Sequence, residues 1–331
     1  MARIVMGLGS SHTPQLSTTT DWWEDHADRD RRNPSLLGRD GELHAYDELV
    51  AVPEWNIPAE RLTPDVWAAC YQRAQDAMGV LSKELASAAP DVVVVVGDDQ
   101  AELFLDDGTP TFAVFYGSEI MDMPHSAAKL ASMPAGLRAA AWAQHSETVE
   151  RYPVPADLGR HVVESLAVEE FDVTAFTRQA EGRSLGHAFT FPRRRLMGET
   201  IIPMLPVALN AYYPPNVPSP RRCYQFGRAL RRAIESYPED LSVAIVASGG
   251  LSHFVVDEEL DGRVIEGLRT KDVETLTTIP RRFMRSGTSE TLNWIAAGGA
   301  LEHLGMELVD YVAAYRSPAG TGVGMAFAVW R

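Results

Sequence analysis

Long apolar runs alternate with amphipathic stretches along most of the chain. Residues 92–96 are consecutive valines, and residues 241–250 read LSVAIVASGG. Uninterrupted β-branched runs are typical of strands that are buried on both faces of a sheet. Between residues 66 and 89 apolar positions recur at helical spacing, and the preceding Thr63 and Pro64 suit an N-cap and a first helical turn. This pattern predicts helices that alternate with buried strands.

The same pattern continues over the rest of the chain. Further strands are predicted at residues 3–8, 172–176, 200–210 and 322–331, and further helices at 155–171, 219–237, 257–269 and 288–300. Alternation of this kind is typical of an α/β fold. No repeat or linker divides the chain, so we predict a single domain over residues 1–331, with a mixed central sheet covered by helices on both faces.

Residues 15–62 interrupt this alternation. They are polar and irregular, and include the stretch QLSTTTDWWEDHADRDRRNPSLLGRDG. A segment of this length without clear periodicity usually has a function of its own or covers one. We therefore predict that residues 15–62 form an insertion or lid.

Composition and charge narrow the classes of function. The chain has 331 residues, and 30 basic against 45 acidic side chains give a formal net charge of −15. Such a chain lacks the positive surface that binds nucleic acid or an anionic membrane. The N-terminus lacks the long apolar core of a signal peptide, and no apolar run approaches the ~18 residues that span a bilayer. We expect a soluble cytoplasmic protein.

Cysteine is too scarce to carry the chemistry. Cys70 and Cys223 are the only two cysteines, so neither a disulfide framework nor a thiolate zinc site can be built. This fits a reducing compartment. The 9 histidines are therefore the natural candidates for chemistry.

Three of these histidines follow candidate strands or lie in turns of small residues. They are His12 in GSSHTP, His187 in SLGHAFTFP and His253 in SGGLSHF. Loops at strand ends are where α/β folds place their sites, and a histidine suits proton transfer near neutral pH. Each could instead be a structural cap, but three in similar contexts favour a site. We expect the other histidines to lie at the surface or in solvent: His26, His44, His125, His145, His161 and His303.

The stretch GDDQ at residues 97–100 follows the valine strand. Its two carboxylates and amide could bind a metal, orient a histidine or cap the next turn. The residues alone leave these alternatives open.

Taken together, the motifs resemble the class III extradiol ring-cleaving dioxygenases. The similarity is to the beta chain of protocatechuate 4,5-dioxygenase, and most of all to single-chain relatives that cleave gallate-type rings. The matching segments are MARIVMGLGSSHTPQL, PDVVVVVGDDQAELF, LGHAFTFP, the long block from YYPPNVP to SGGLSHF, SGTSETLNWIAAGGAL and SPAGTG.

The resemblance implies a non-haem Fe(II) enzyme that opens a catecholic aromatic acid, such as gallate or protocatechuate, with O2. His12 matches a histidine ligand of the iron, and Glu290 matches the carboxylate ligand. His187 matches the histidine that binds substrate and oxygen, and His253 matches the acid–base histidine. Thr321 lies near the position that contacts the substrate carboxylate.

One position departs from the family pattern. Where the family has its second iron-binding histidine after an aspartate, this chain reads Asp99-Gln100. Gln100 itself could be the ligand through its amide oxygen. His26 or His44 from the inserted segment could complete the site instead. In a third case no iron is bound, and the protein is a non-catalytic binding protein of the same fold.

The resemblance does not determine the oligomeric state, the need for a second subunit or the class of reaction. We expect a homo-oligomer. Some relatives need a small separate subunit as a lid, a role that residues 15–62 would fill here. A zinc hydrolase that uses the same histidines ranks lowest, because the SGGLSH and LGHAF motifs fit the dioxygenase pattern better.

Overall fold

The computed structural model describes all 331 residues and contains 13 strands. The strands are β1 (Arg3–Ser10), β2 (Leu36–Leu37), β3 (Leu43–His44), β4 (Val92–Asp98), β5 (Phe112–Phe115), β6 (Glu119–Asp122), β7 (Glu150–Pro153), β8 (Thr174–Phe176), β9 (Met204–Leu209), β10 (Ser242–Ser248), β11 (His253–Val255), β12 (Met306–Tyr315) and β13 (Thr321–Trp330).

The structure also contains 11 α-helices, several of them close to the predicted bounds. They are α1 (Trp23–Arg31), α2 (Tyr46–Val50), α3 (Pro64–Ala88), α4 (Ala127–Ser132), α5 (Ala135–Gln144), α6 (Ala156–Val168), α7 (His187–Arg195), α8 (Pro220–Glu235), α9 (Glu258–Thr270), α10 (Val273–Thr277) and α11 (Thr291–Leu301). None of these helices combines the length and the apolar character needed to cross a bilayer.

Nine strands form one mixed sheet, in the order β11-β13-β1-β10-β4-β9-β5-β8 with β12 paired to β13. The central strands β1, β10, β4 and β9 run parallel, whereas β13 is antiparallel to its neighbours. The valines of β4 are fully enclosed, as their uninterrupted run predicts. The predicted α/β fold with a mixed central sheet is confirmed.

Helices cover both faces of the sheet, and the side chains of β1 show how. Gly9 faces Trp294 of α11, whereas the hydroxyl of the next residue, Ser10, contacts Met78 of α3. Successive residues of a strand point to opposite faces, so α11 and α3 lie on opposite sides of the sheet. α8 packs on α11 so closely that a Cβ on Gly227 would lie 1.8 Å from the carbonyl oxygen of Ala296.

The segment predicted as an insertion or lid has more local structure than its polar sequence suggests. Residues 15–62 contain α1, α2, the two-stranded sheet of β2 and β3, and several 3-10 turns. A buried ion pair attaches α1 to the turn between β12 and β13, because Nε of Arg316 donates to Asp30 at 2.6 Å. The segment is thus packed onto the carboxyl edge of the sheet.

Candidate metal centre

Parallel strands bring the predicted site residues to one edge of the sheet. The loops that follow β1 and β4 carry His12 and Gln100, and His253 is the first residue of β11, just after the loop that follows β10. Glu290 reaches the same edge from the turn that precedes α11. The carboxyl edge of parallel strands is where α/β proteins bind ligands. The fold therefore places side chains that are far apart in sequence within one cluster.

The carboxylate of Glu290 is the centre of this cluster and is almost fully buried. Its Oε2 lies 3.2 Å from Nε2 of His12 and accepts a hydrogen bond from the backbone N–H of Gly250 at 2.8 Å. Its Oε1 lies 3.2 Å from Nε2 of His253 and accepts one from the amide of Gln100 at 3.0 Å. Burial alone would raise the pKa of Glu290, but His12 and His253 hold it well below its usual range.

Asp98, the last residue of β4, faces the same cluster. Ligand atoms of His12, Asp98 and Glu290 all lie within 4.8 Å of one another, and all three residues are buried. Burial raises the pKa of Asp98, and so does the charge of Glu290, because two enclosed carboxylates repel each other. The buried Nε2 of His12 makes no hydrogen bond, although Oε2 of Glu290 lies 3.2 Å away.

This donor set fits a divalent cation. Two carboxylates and an imidazole nitrogen are ligands that Fe(II) and similar ions accept. A cation between the two carboxylates would offset their repulsion and would satisfy the unpartnered Nε2 of His12. Ser248 contacts the other ring nitrogen of His12, with its Oγ 3.1 Å from Nδ1. That contact directs Nε2 towards the carboxylates, as an outer partner does for a ligating histidine.

Gln100 lies in the cluster but presents its nitrogen to it. Its Nε2 donates to Oε1 of Glu290 at 3.0 Å and to Oδ2 of Asp98 at 3.1 Å. A metal ligand would need Oε1 in that place, which requires the amide to turn over. In the present arrangement Gln100 cross-links the two carboxylates.

The alternative ligands His26 and His44 occupy different surroundings. His26 is buried, so the prediction that it is solvated was wrong: it lies on the inner side of α1 with Nε2 3.2 Å from the hydroxyl of Thr18. Burial and the charge of Arg316 lower the pKa of His26 to about 3. His44 is outside the cluster, where its Nε2 contacts the carboxylate of Asp40 at 3.0 Å.

His253 is held at both ring nitrogens and at its backbone N–H, which donates to Oγ1 of Thr288 at 3.1 Å. Its Nδ1 lies 2.9 Å from the carbonyl oxygen of Leu251. A carbonyl can only accept, so Nδ1 carries a hydrogen and Nε2 is the nitrogen that faces Glu290. The preceding Ser252 donates both its backbone N–H and its hydroxyl to Asp261, at 2.8 and 2.6 Å. The loop therefore aims one ring nitrogen into the cluster.

His187 is the first residue of α7 rather than part of a turn, and Gly186 is its N-cap. Its Nδ1 lies 2.8 Å from Oε2 of Glu102, and its backbone N–H donates to the same oxygen at 3.0 Å. Burial would lower the pKa of His187, but the charge of Glu102 outweighs it and raises the pKa to about 9. The ring packs edge-on against His12, with centroids 4.7 Å apart.

A buried chain of polar side chains continues behind His187. Oε1 of Glu102 lies 3.2 Å from Nε2 of His145, whose Nδ1 lies 2.6 Å from Asp122. The hydroxyl of Tyr152 donates to the other oxygen of Asp122 at 3.1 Å. The prediction that His145 is solvated was wrong, because its partners lie far away in sequence. In the sequence, the only signal for this network is the carboxylate of Glu102, two residues after the stretch GDDQ.

The cluster opens into a cavity of about 190 Å³. His12, His187, His253, Gln100 and Glu290 all line it, as do Arg29, His26, Tyr212, Phe254 and Arg316. The segment 15–62 thus forms part of the wall. The volume of the cavity and its mixed polar lining suit one small molecule rather than a polymer.

Thr321 does not line this cavity. It is the first residue of β13, is fully buried, and its Oγ1 lies 2.7 Å from Oγ of Ser317. The strand pairs it with Val255, next to the loop of His253. In this structure the hydroxyl of Thr321 is therefore hydrogen-bonded to Ser317 and does not face the cavity.

Known proteins that are similar to this chain include ring-opening dioxygenases. A family model described as the catalytic LigB subunit of aromatic ring-opening dioxygenase matches residues 59–326. Gallate dioxygenase of Pseudomonas putida is 37% identical over 160 residues, which are 44% of this chain and 45% of that protein. The 2,3-dihydroxyphenylpropionate/2,3-dihydroxicinnamic acid 1,2-dioxygenase of Mycobacterium ulcerans is 25% identical over 173 residues, which are 50% and 51%. The chain thus spans about half the length of the curated relatives that it matches.

Proposed function

The chain belongs to the LigB family of aromatic ring-opening dioxygenases, and on this premise we propose that it is an Fe(II)-dependent extradiol dioxygenase. It would insert both atoms of O2 into a catecholic ring of the gallate or protocatechuate type and open that ring. The observation that carries the proposal is the buried donor set of His12, Asp98 and Glu290 at the base of a cavity that His187 and His253 also line.

His12 and Glu290 are the proposed ligands of the metal, and the third comes from the end of β4. Gln100 is one candidate, through Oε1 after its amide turns over. Asp98 is the other, and the geometry favours it because its carboxylate already faces His12 and Glu290. When bound, Fe(II) supplies Lewis acidity towards the ring hydroxyls and the electron transfer that O2 requires.

His253 is the proposed acid–base residue. Because its Nδ1 hydrogen is engaged by the carbonyl of Leu251, its Nε2 is the atom that takes a proton from a ring hydroxyl. The same nitrogen returns the proton later in the reaction. The hydrogen bonds of Ser252 to Asp261 keep the loop, and therefore Nε2, in place during both transfers.

His187 is the proposed hydrogen-bond donor to an oxygen of the substrate or of O2. Glu102 engages Nδ1, which leaves Nε2 for the cavity. The same carboxylate favours the protonated ring, so Nε2 carries a hydrogen to donate. His187 thus acts from a fixed position beside His12.

Oxygen consumption tests this proposal. Protein loaded anaerobically with Fe(II) is mixed with gallate, 3,4-dihydroxybenzoate or a 2,3-dihydroxyphenyl acid, and oxygen uptake is recorded together with loss of the aromatic absorbance. We expect one O2 consumed for each ring opened. Protein that holds stoichiometric iron but consumes no oxygen with any of these catechols would favour the non-catalytic binding protein. Turnover without oxygen would favour the hydrolase. The homo-oligomer and the cytoplasmic location stay predictions from the sequence.

A further inference from the structure

Arg29 is a cation without a partner in the wall of the candidate active site. It lies on α1 and lines the same cavity as His12, His187 and His253. It is half-buried, yet its guanidinium forms no hydrogen bond or ion pair, unlike Arg31 two residues further on, which pairs with carboxylates of its own helix. Burial and the charge of Arg316 lower the pKa of Arg29, and the nearby carboxylates of Asp30 and Asp25 offset only part of this without forming an ion pair with its guanidinium.

The neighbouring Arg316 cannot serve as an anion-binding group in the same way. It is buried, its Nε and Nη2 donate to both oxygens of Asp30 at 2.6 and 3.0 Å, and its Nη1 donates to Gln15 at 2.8 Å. Its charge is therefore paired with Asp30, and three of its five N–H donors are engaged by the protein. The same ion pair attaches α1 to the sheet and so fixes the position of Arg29 at the cavity wall.

Resting on the function proposed above, we propose that Arg29 binds the carboxylate of the aromatic substrate and selects catecholic acids over uncharged catechols. A guanidinium offers parallel donors that match a carboxylate, and a partly enclosed site strengthens the contact. Thr321, expected near the carboxylate from the family resemblance, has its hydroxyl on Ser317 and does not line the cavity. Arg29 lies before the residues 59–326 that the family model matches, so the inserted segment supplies this specificity.

An adjoining cavity supports an anionic substrate. Its volume is about 520 Å³, and Tyr212 forms part of the wall of both cavities. Arg281, Arg282 and Arg285 line it, and none of them forms an ion pair with a carboxylate. In a chain of net charge −15, such a group of uncompensated cations provides a local attraction that the overall charge does not.

The test compares matched substrates on the iron-loaded protein. 3,4-Dihydroxybenzoate and catechol differ by the carboxylate, as do gallate and pyrogallol. We expect Arg29→Gln to lower the ratio of kcat/KM for the acid over that for its uncharged counterpart about 10- to 100-fold, because a charge-assisted contact is lost. Arg29→Lys should keep part of the preference. Arg32→Gln, the same change of charge at an exposed residue outside the cavity, should leave the ratio unchanged.

Equilibrium binding in the absence of oxygen separates this inference from the proposed function. Titration of wild type and Arg29→Gln with 3,4-dihydroxybenzoate should show the same loss of affinity without any turnover. If the wild type binds the acid but opens no ring, the function fails while the subsite stands. If Arg29→Gln keeps the wild-type ratio and affinity, or weakens acid and uncharged catechol equally, the subsite is overturned, whereas ring opening by the wild type still decides the function.

Discussion

Replacement of Asp98 by asparagine tests the origin of the third metal ligand. Asparagine keeps the shape and one acceptor for the hydrogen bond from Asn293, but removes the charge that faces Glu290. Two unit charges at 4.8 Å, the upper limit of the distances between these ligand atoms, repel by about 3.5 kcal/mol at an effective dielectric constant of ~20. Nearby histidines offset part of this, so the metal-free variant should be more stable than the metal-free wild type by about 1–3 kcal/mol.

When metal is bound, the wild type should become more stable than Asp98→Asn. A cation at a concentration 100 times its Kd stabilises the native wild type by about 2.7 kcal/mol, which raises the midpoint of thermal unfolding by about 4 °C in a chain of 331 residues. Asp98→Asn should lose most of that gain. The assay is thermal unfolding with and without Fe(II) under anaerobic conditions, with metal content measured in parallel.

Two further variants complete this experiment. Asp99→Asn makes the same chemical change at the next residue, whose carboxylate accepts backbone N–H groups of the following turn and lies outside the donor set. It should keep the metal-dependent gain. A full gain in Asp98→Asn together with its loss in Gln100→Ala would refute the reasoning and would make Gln100 the third ligand.

Other predictions concern residues that support the site and the fold. Glu102→Gln should lower kcat about tenfold and leave KM and iron content near wild type in steady-state and metal assays, because it loosens His187 without touching the ligands. Asp30→Asn should lower the free energy of unfolding by about 3–5 kcal/mol in denaturant titrations, because it leaves the buried Arg316 unpaired. Gly227→Ala should destabilise by about 2–3 kcal/mol in the same assay, because its Cβ would overlap the facing helix.

Each of these predictions has a control and an opposing outcome. Asp28→Asn, at an exposed acid of the same helix, should change stability by no more than about 0.5 kcal/mol. Gly79→Ala, at an exposed helix position with open space around it, should stabilise by about 0.5–1 kcal/mol. Equal effects at Asp30 and Asp28, or a stabilising Gly227→Ala, would contradict the packing described here. An unchanged kcat in Glu102→Gln would contradict the role of Glu102 in positioning His187.

The fold was largely predictable because its central strands carry strong local signals. The valines of β4 and the run in β10 fill both faces of the sheet, and their sequence already shows this. β12 was not predicted, since its polar and apolar residues do not alternate cleanly and its place comes from pairing along β13. The short strand β5 was missed for a related reason: its four residues are too few to separate from a buried loop.

Site residues were predictable only where they belong to a recognisable sequence motif. His12, His187, His253 and Glu290 were singled out, and the fold brings them together. The burial of His145 could not be foreseen, because it depends on carboxylates that lie about 20 and 40 residues away.

The role proposed for Arg29 was equally hidden in the sequence. It stands in the run DRDRR, where neighbouring arginines look alike. Which one faces the cavity depends on the direction in which α1 packs, and the ion pair between Asp30 and Arg316 sets that direction. Arg31, by contrast, pairs with exposed acids of its own helix.

Oxygen labelling tests the central claim most directly. The iron-loaded protein is supplied with 3,4-dihydroxybenzoate under isotopically heavy O2, and the ring-opened product is reduced at once so that its aldehyde oxygen cannot exchange with water. The account predicts a product that carries two heavy oxygen atoms. A product with one or none, from protein whose iron content is stoichiometric, would contradict it.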